Sequence, residues 1–215
     1  KYRPSKISEM IGQGEGMRQL TSFINSGSGA VIVHGPVGCG KTSSVYAIAS
    51  DLGCEVVELN AGDLRDKNQV KVIIGNALSQ RSLFFKKKVI LIDEIDNISA
   101  HDYGGVGEIT ALIDLNSYPV IMCANKPFEK KLLGLRKKAG MIEFKRVDTS
   151  GILAILRRIC DKENITANEN SLKQIALLSG GDIRAAINDL QAQGKEIGEI
   201  VVSKRDQEES IYNAL

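Results

Sequence analysis

Gly35-Pro36-Val37-Gly38-Cys39-Gly40-Lys41-Thr42 is a glycine-rich turn that ends in a lysine and a threonine. The apolar run Ala30-Val31-Ile32-Val33 precedes it, and a helical pattern follows it over residues 43–49. Glycines let successive backbone N–H groups turn toward a phosphate, and the following helix offers its positive N-terminal end. Lys41 can then reach the outer phosphates, and the Thr42 hydroxyl can bind the accompanying Mg²⁺. The stretch therefore predicts a binding site for a nucleoside triphosphate.

Composition is that of an ordinary globular protein. The 215 residues are 43% hydrophobic, enough for one substantial core and a smaller satellite, and the formal net charge is +2. This near balance gives no general argument for binding nucleic acid or membranes, so any DNA contact must come from a local patch. The four cysteines are scattered without metal-ligand spacing, which is typical of a reducing interior. No signal peptide is visible, and no apolar run is long enough to cross a bilayer.

Apolar runs bounded by turn signals recur through the first two thirds of the chain. They lie at residues 31–33, 56–59, 89–92, 120–124 and, more weakly, 141–144. Helical patterns separate them, and this alternation predicts an α/β fold with a parallel sheet. Beyond about Val147 the strand pattern stops. Three helical patterns follow, and Asp182 is placed to cap the third of them. We expect a small helical domain there.

Two acids end the third apolar run, Val89-Ile90-Leu91-Ile92-Asp93-Glu94. A buried parallel strand brings such residues to the sheet edge at which the phosphate loop also ends. Asp93 is expected to bind Mg²⁺, directly or through water, and Glu94 to orient and deprotonate the attacking water. The alternative is a pair of solvated acids after a strand. Asp96 is interpreted as a helix cap near Asn97 rather than as a third catalytic acid.

Two further polar residues are candidates for contacts with the terminal phosphate. Asn125 ends the run at residues 120–124, where a neutral amide can bind the water or the γ-phosphate without competing for the metal. Arg184 lies in the first turn of a predicted helix, where its charge opposes the helix dipole unless an anion is bound there. We expect the helical domain to bring Arg184 over the γ-phosphate. The alternative is an exposed arginine with a solvated head group.

Taken in order, these motifs resemble those of a known family. The chain is similar to the AAA+ module of clamp-loader ATPases, most closely to the archaeal large-subunit type of the replication factor C family. The resemblance runs nearly from end to end. It rests on Lys1-Tyr2-Arg3-Pro4, Ile11-Gly12-Gln13, the phosphate loop, Glu58-Leu59-Asn60-Ala61, Ile92-Asp93-Glu94-Ile95-Asp96, Gly104-Gly105-Val106-Gly107, Ala124-Asn125 and Gly181-Asp182-Ile183-Arg184.

The resemblance implies an AAA+ P-loop domain at residues 1–147. Its five-stranded parallel sheet would place the Asn125 strand between the phosphate-loop strand and the Asp93 strand. A small helical lid domain would follow at residues 148–200, and residues 201–215 would begin a truncated C-terminal collar domain. We expect a fragment of a longer protein, since the chain lacks an initiating Met and ends within a polar helical pattern.

The cofactors that the resemblance implies are ATP and Mg²⁺, with Thr42 and Asp93 as metal ligands. The catalytic residues would be Glu94, Lys41, Asn125 and Arg184. Asn60 would hold Glu94 out of line until DNA binds. The adenine would be bound by Tyr2, Arg3, Pro4 and Ile11, with Ile183 closing that pocket from the lid. The phosphates would be bound by Gly35, Pro36, Val37, Gly38, Cys39, Gly40, Lys41, Thr42 and Ser43. The γ-phosphate would also be bound by Asn125 and Arg184.

The chain departs from the family pattern at the arginine that one clamp-loader subunit contributes to the ATP site of its neighbour. Small subunits carry a Ser-Arg-Cys motif whose arginine reaches the ATP site of a neighbour. Residues 125–147 are rich in lysine but contain no such motif, as expected of a large subunit at the end of the arc. We therefore expect this chain to receive an arginine from a neighbour and to donate none, so that the isolated chain binds ATP and hydrolyses it slowly.

Two stretches are candidates for contacts with macromolecules. Gly104-Gly105-Val106-Gly107 precedes an apolar helical pattern, and backbone N–H groups there can bind phosphates. The resemblance implies that this region follows the DNA backbone; the alternative is an ordinary loop and helix start. Leu83-Phe84-Phe85 lies beside basic residues, and in the family an apolar patch near this position binds the sliding clamp. The alternative for that stretch is burial in the core of the protein itself.

The leading hypothesis is an ATPase subunit of a DNA sliding-clamp loader, which uses ATP binding and hydrolysis to open the clamp and load it on primer-template DNA. The partners implied are small clamp-loader subunits in a hetero-oligomer (a pentamer), the sliding clamp and primer-template DNA, with no membrane. The location implied is cytoplasmic in an archaeon or nuclear in a eukaryote. The alternatives are another AAA+ motor, such as a branch-migration helicase or protein remodeller, and a nonhydrolysing scaffold, which Glu94 disfavours.

Overall fold

The computed structural model describes residues 2–60, 87–98, 103–115, 118–194 and 196–197. The chain divides into two compact units, Lys1–Lys145 and a second that begins at Arg146. No helix within the described ranges has the length and apolar character needed to cross a lipid bilayer. Leu83-Phe84-Phe85, the predicted clamp contact, and residues 201–215, the predicted start of a collar, lie outside the described residues.

A five-stranded parallel sheet forms the centre of the first unit. Its strands are β1 (Ala30–His34), β2 (Glu55–Asn60), β3 (Lys88–Asp93), β4 (Val120–Ala124) and β5 (Gly140–Glu143), in the spatial order β2-β3-β4-β1-β5. Every residue of β4 is buried, as are the first four of β1. Strands covered on both faces have continuous apolar sequences, which is why the pattern was visible. The predicted fold class and the predicted position of the Asn125 strand are both confirmed.

Helices cover both faces of the sheet. Within the described part of the first unit they are α1 (Gly14–Ser26), α2 (Lys41–Asp51), α3 (Tyr103–Leu115) and the single turn α4 (Leu133–Arg136). Alternate strand residues face opposite sides. Thus Ile32 packs in one core cluster with residues of α3 and α4, whereas Val31 packs in another with residues of α1 and α2.

The glycine stretch at residues 104–107 lies inside α3, which begins at Tyr103. The prediction of a glycine loop before this helix was therefore wrong. Glycine costs about 1 kcal/mol relative to alanine within a helix. Here Val106, Ile109 and Leu112 pack on the core and offset that cost, since tertiary packing supplies most helical stability in proteins.

Strands β3 and β4 separate at their C-terminal ends. β1 and β4 pair as far as His34 and Ala124, whereas β3 and β4 pair only as far as Ile92 and Met122. The last residue of β3, Asp93, is therefore beyond the β3–β4 ladder, and so is the residue that follows β4. The two strands separate at the point where the sequence places its polar residues.

Gly35 allows the chain after β1 to pass close to the segment after β5. Its N–H donates to Ala124 O at 3.3 Å, while Phe144 N donates to His34 O at 2.7 Å. A Cβ at position 35 would lie 2.1 Å from Phe144 O, a backbone atom that has little freedom to move. A side chain at this position would displace the start of the phosphate loop, so glycine is required here for space.

The described residues of the second unit form three helices, α5 (Thr149–Glu163), α6 (Glu169–Leu178) and α7 (Ile183–Ala192). Asp182 caps α7, as predicted, because its Oδ1 accepts a hydrogen bond from Ala185 N at 3.0 Å. The prediction that strands cease after Val147 was wrong in one detail. Thr166–Ala167 (β6) pairs in parallel with Glu196–Ile197 (β7). Two residues are too few to leave an alternating pattern in a sequence.

Candidate nucleotide-binding site

Lys41 is the first residue of α2, and its side chain is bonded to the phosphate loop. Its Nζ donates hydrogen bonds to Gly35 O at 2.9 Å, to Pro36 O at 2.7 Å and to Asn125 Oδ1 at 2.8 Å. These three bonds use every proton of the ammonium group. Lys41 is only 9% exposed, so these oxygens replace most of the water that a lysine would otherwise bind.

The bond from Lys41 also orients the side-chain amide of Asn125. The Lys41 ammonium group can only donate hydrogen bonds, so the atom of Asn125 that faces it is the amide oxygen Oδ1. The other terminal atom of the amide, Nδ2, then points away from Lys41. Asn125 therefore offers an N–H donor close to the Lys41 cation. An oxyanion beside this pair would meet a positive charge and a neutral donor, the combination predicted for the γ-phosphate.

The Thr42 hydroxyl and the Asp93 carboxylate meet at the open end of the sheet. Thr42 Oγ1 donates to Asp93 Oδ2 at 2.8 Å, and Glu94 N donates to Asp93 Oδ1 at 2.9 Å. Hydroxyl and carboxylate oxygens are hard ligands of the kind that Mg²⁺ prefers, and such sites are usually completed by phosphate oxygens and water. The two predicted metal ligands are thus brought together, and their chemistry fits a magnesium-bound triphosphate.

Glu94 follows Asp93 in the left-handed region, with φ 54° and ψ 45°. Among the described residues, only Glu94 and Asn164 combine a side chain with positive φ. This conformation costs a residue with a side chain about 1–2 kcal/mol. The Glu94 Oε2 atom accepts a hydrogen bond from Asn97 Nδ2 at 2.8 Å. Asn97 was not predicted as a partner of Glu94, and the side chain of Asn60, which was, lies outside the described residues.

The prediction that Asp96 caps a helix was wrong. Its Oδ2 accepts hydrogen bonds from the backbone N–H groups of Asn125 at 3.0 Å and Lys126 at 3.2 Å. Lys131 Nζ in turn donates to the backbone oxygen of Asp96. The Asp96 carboxylate thus binds the chain that leaves β4, beyond the point where β3 and β4 stop pairing. Asp96 thus holds the backbone of Asn125 in place.

We expect replacement of Asp96 by alanine to free these two amides. A hydrogen bond to a charged group contributes about 1.5–3 kcal/mol, so amide exchange at Asn125 and Lys126 should become about ten- to a hundredfold faster. Asp96→Asn retains an acceptor oxygen and should show a smaller change. The measurement is amide hydrogen exchange followed by NMR on the folded chain.

The matched control for Asp96 is Asp148→Ala in the second unit. Asp148 also accepts a backbone N–H, from Gly151 at 2.9 Å, but it caps α5. This control should leave exchange at Asn125 and Lys126 unchanged. Unaltered exchange of both amides in Asp96→Ala would contradict the assigned role of the Asp96 carboxylate.

The N-terminal segment is held against α2. The Arg3 guanidinium carbon lies 4.6 Å from the centroid of the Tyr46 ring, and Ile7 N donates to Asp51 Oδ2 at 2.8 Å. The Tyr46 hydroxyl donates to the Glu58 carboxylate. Burial, aided by this bond, raises the pKa of Tyr46 to about 12. The hydroxyl therefore stays protonated near neutral pH, and the segment is ordered along the helix that begins the phosphate site.

A cleft of about 760 Å³ lies beside α1. Its lining includes Ile7, Met10, Gly12, Gln13 and Met17. Polar residues of α1 (Arg18, Thr21, Ser22 and Asn25) also line it, and clefts that combine apolar surface with a few polar groups are typical of sites for small molecules. The predicted adenine residues Tyr2, Arg3, Pro4 and Ile11 are near this segment in the sequence, and their contact with a nucleotide stays a prediction.

The predicted lid residues are located within the second unit. Arg184 is exposed in the first turn of α7, and Ile183 is half-buried at its start. Asp182 caps that turn, so the sequence argument about the helix end is supported. The predicted contacts of Ile183 with adenine and of Arg184 with the γ-phosphate remain predictions.

Two buried thiols lie in the core beneath the phosphate loop. Cys39 is 0% exposed and Cys123 is 1% exposed, and both belong to the core cluster that includes Val33 and Val45. Burial raises the pKa of the Cys123 thiol, with nearby Asp93 adding to the effect. The Cys123 thiol therefore stays protonated and packs as a small apolar group. Cys39 contributes its backbone, and not an accessible thiol, to the loop.

Models of two protein families match the chain, in the order of the two units. The ATPase family associated with various cellular activities (AAA) matches residues 31–136, and the RCF1/5-like AAA+ ATPase lid domain matches residues 154–193. Among solved structures, the RuvB Holliday junction branch migration motor of Thermotoga maritima superposes with a TM-score of 0.70 at 19% identity, over 92% of this chain and 69% of that one. At that identity the likeness shows the fold alone and does not favour branch migration as an activity.

Curated relatives align along nearly the whole chain. The replication factor C large subunit of Staphylothermus marinus is 40% identical over 210 residues, which cover 94% of this chain and 50% of that protein. The replication factor C large subunit of Nanoarchaeum equitans is 40% identical over 226 residues, which cover 100% of this chain and 53% of that protein. The chain spans about half the length of these relatives. With both family models in order along it, the chain belongs to the AAA+ ATPases, in the replication factor C family.

Proposed function

We propose that this chain is the ATPase module of a clamp-loader large subunit, which binds ATP with Mg²⁺ and hydrolyses it to load a sliding clamp on primer-template DNA. The observation that carries the proposal is the convergence of two pairs, Lys41 with Asn125 and Thr42 with Asp93, each joined by a hydrogen bond of 2.8 Å. The names of the archaeal relatives support the role in replication.

Each residue of the site has a distinct task in this proposal. Lys41 exchanges loop carbonyls for phosphate oxygens, and residues 37–43 supply backbone N–H groups around the phosphates. Thr42 and Asp93 hold the metal, which when bound neutralises charge on the phosphates. Glu94 accepts the proton of the attacking water. Asn125, fixed by Lys41 and Asp96, orients that water or the terminal phosphate.

The remaining contacts of the nucleotide are also part of the proposal. Tyr2, Arg3, Pro4 and Ile11 surround the adenine. Ile183 contributes to that pocket, and Arg184 binds the γ-phosphate, where an anion removes the unfavourable interaction of its charge with the α7 dipole. Support comes from the order of the N-terminal segment and from the exposure of Arg184.

The chain is proposed to work in a hetero-oligomer, a pentamer with small clamp-loader subunits. Residues 125–147 contain no Ser-Arg-Cys motif, so a neighbour is proposed to supply the arginine that completes this site. An arginine supplied in trans contributes about 10³- to 10⁵-fold in comparable phosphoryl transfers. In this arrangement ATP hydrolysis depends on assembly of the subunits. DNA and the sliding clamp could then control hydrolysis by changing how the neighbouring subunit is placed.

The test measures ATP binding and turnover by the chain alone, with archaeal small subunits, and with sliding clamp and primed template added in turn. We expect the chain alone to bind ATP and to turn over slowly, and the complete mixture to raise turnover by about 10³-fold or more. Full turnover by the isolated chain would contradict the need for a neighbour. Absence of ATP binding would contradict the proposed function itself.

A further inference from the structure

Gln13, which precedes α1, joins three separate parts of the first unit. Its Nε2 donates to Cys39 O at 3.2 Å in the phosphate loop and to Lys145 O at 2.6 Å. Its Oε1 accepts from Lys145 N at 3.1 Å. Gln13 is 5% exposed, so both amide protons and the oxygen are committed to protein partners where water has little access.

The bond to Cys39 bears on the geometry of the phosphate loop. The neighbours of Cys39 are glycines with φ of 69° at Gly38 and 100° at Gly40, a backbone with little conformational preference of its own. Because the peptide bond is planar and trans, turning Cys39 O toward Gln13 aims the N–H of Gly40 to the opposite side. Gln13 therefore fixes the orientation of the Cys39–Gly40 peptide, which the flanking glycines alone would allow to adopt other orientations.

The two hydrogen bonds between the Gln13 side chain and the backbone of Lys145 resemble those that a neighbouring β-strand would make. β5 is an edge strand, and its continuation still pairs with β1 through Phe144 N and His34 O at 2.7 Å. One residue later, Gln13 binds both the N–H and the carbonyl of Lys145. Lys145 is the last residue of the first unit. A single side chain thus connects the phosphate loop to the point at which the chain leaves that unit.

We propose that Gln13 is a positioning residue which orients the phosphate loop and couples its closure on a nucleotide to Lys145, and through the chain to the entry of the second unit. This inference rests on the proposed nucleotide binding. It goes beyond the proposal because it predicts that a ligand of the loop changes the backbone at a residue 132 positions away from Gln13 in the sequence.

The test compares Gln13→Met and Gln13→Glu with Gln19→Met and Gln19→Glu. Gln19 is on α1, but it is exposed and its amide is bonded to Glu15. Gln13→Met removes all three bonds at similar volume. Gln13→Glu keeps an acceptor for Lys145 N but loses both donors. The readouts are affinity for a nonhydrolysable ATP analogue with Mg²⁺, and hydrogen exchange of the Lys145 amide with and without that analogue.

In the wild-type chain and both Gln19 variants, we expect the analogue to slow exchange at Lys145. In Gln13→Met, that response should disappear, exchange without analogue should rise about fivefold, and affinity should fall about fivefold, since one hydrogen bond contributes about 1 kcal/mol. Gln13→Glu should lose affinity at pH 7 and regain part of it near pH 5, as the introduced carboxyl group becomes a donor on protonation.

The outcomes separate the two proposals. If the wild type and the Gln19 variants bind no analogue, the proposed nucleotide site is refuted, and the coupling is refuted with it. If they bind it and Gln13→Met still shows analogue-dependent protection of Lys145, coupling through Gln13 is refuted while the nucleotide site stands. Should Gln13→Met be too unstable to measure, Gln13→Glu at pH 5 and pH 7 gives the same comparison within one folded protein.

Discussion

Replacing Glu94 with glutamine is expected to reduce ATP turnover by the assembled complex about 10²- to 10⁴-fold while ATP affinity stays near that of the wild type. A positioned general base contributes that much to a proton transfer, and a neutral amide cannot accept the proton. The substitution preserves the size of the side chain and the oxygen that accepts the bond from Asn97 Nδ2. The loss should therefore appear in kcat and leave the binding of ATP intact.

The matched control is Glu129→Gln. Glu129 is a partly exposed carboxylate of the same unit, and it pairs with Lys131 at 2.9 Å. A surface ion pair of this kind contributes about 0–1 kcal/mol, so the control should turn over ATP normally. Equal turnover by Glu94→Gln and Glu129→Gln would remove Glu94 from the mechanism. It would leave the chain as a nucleotide-binding scaffold, the second of the two alternatives that the sequence raises.

The centre of the sheet could be predicted from the sequence because its three central strands, β3, β4 and β1, are buried on both faces. Each of these strands contains a continuous apolar run. Site residues come at or after the strand ends: the phosphate loop follows β1, Asp93 ends β3 and Asn125 follows β4. Elements without such a pattern were missed: β6 and β7 have only two residues each. The helix α3 was predicted, but its start was placed too late, because the glycines in its first turns predict a loop when they are considered without the core on which the helix packs.

The residues of the candidate site likewise fall into those that the sequence predicted and those that it did not. The phosphate loop and the acids Asp93 and Glu94 were predicted because each motif is local, with its members adjacent in the sequence. The residues that position them were missed because their partners are distant: 29 positions separate Asp96 from Asn125, and 132 separate Gln13 from Lys145. Asn97 is only three positions from Glu94, but asparagine is common in turns, and nothing in the sequence distinguishes a positioning residue from a turn former.

Replacing Lys41 with methionine is expected to weaken ATP binding about 10²- to 10³-fold. The ammonium group is the one charged donor bonded to both loop carbonyls and to Asn125 among the described residues. A hydrogen bond from a charged donor contributes about 1.5–3 kcal/mol, and Lys41 is proposed to make such bonds to two phosphates. Isothermal titration with Mg²⁺–ATP measures the change. Lys138→Met, which removes an exposed lysine paired with Asp114, is the control and should bind ATP normally.

The same variant tests whether Lys41 and Asn125 act as one unit. If Lys41 fixes the amide of Asn125, then Asn125→Ala should weaken ATP binding in the wild-type background and have much less effect in Lys41→Met. Residues in direct contact show coupling of about 0.5–3 kcal/mol in a double-mutant cycle. Additive losses would mean that the 2.8 Å bond between them does not set the orientation of the amide. The side-chain donor of Asn125 beside the Lys41 cation would then be incidental, and the bond to Asp96 would fix the backbone of Asn125 without orienting its amide.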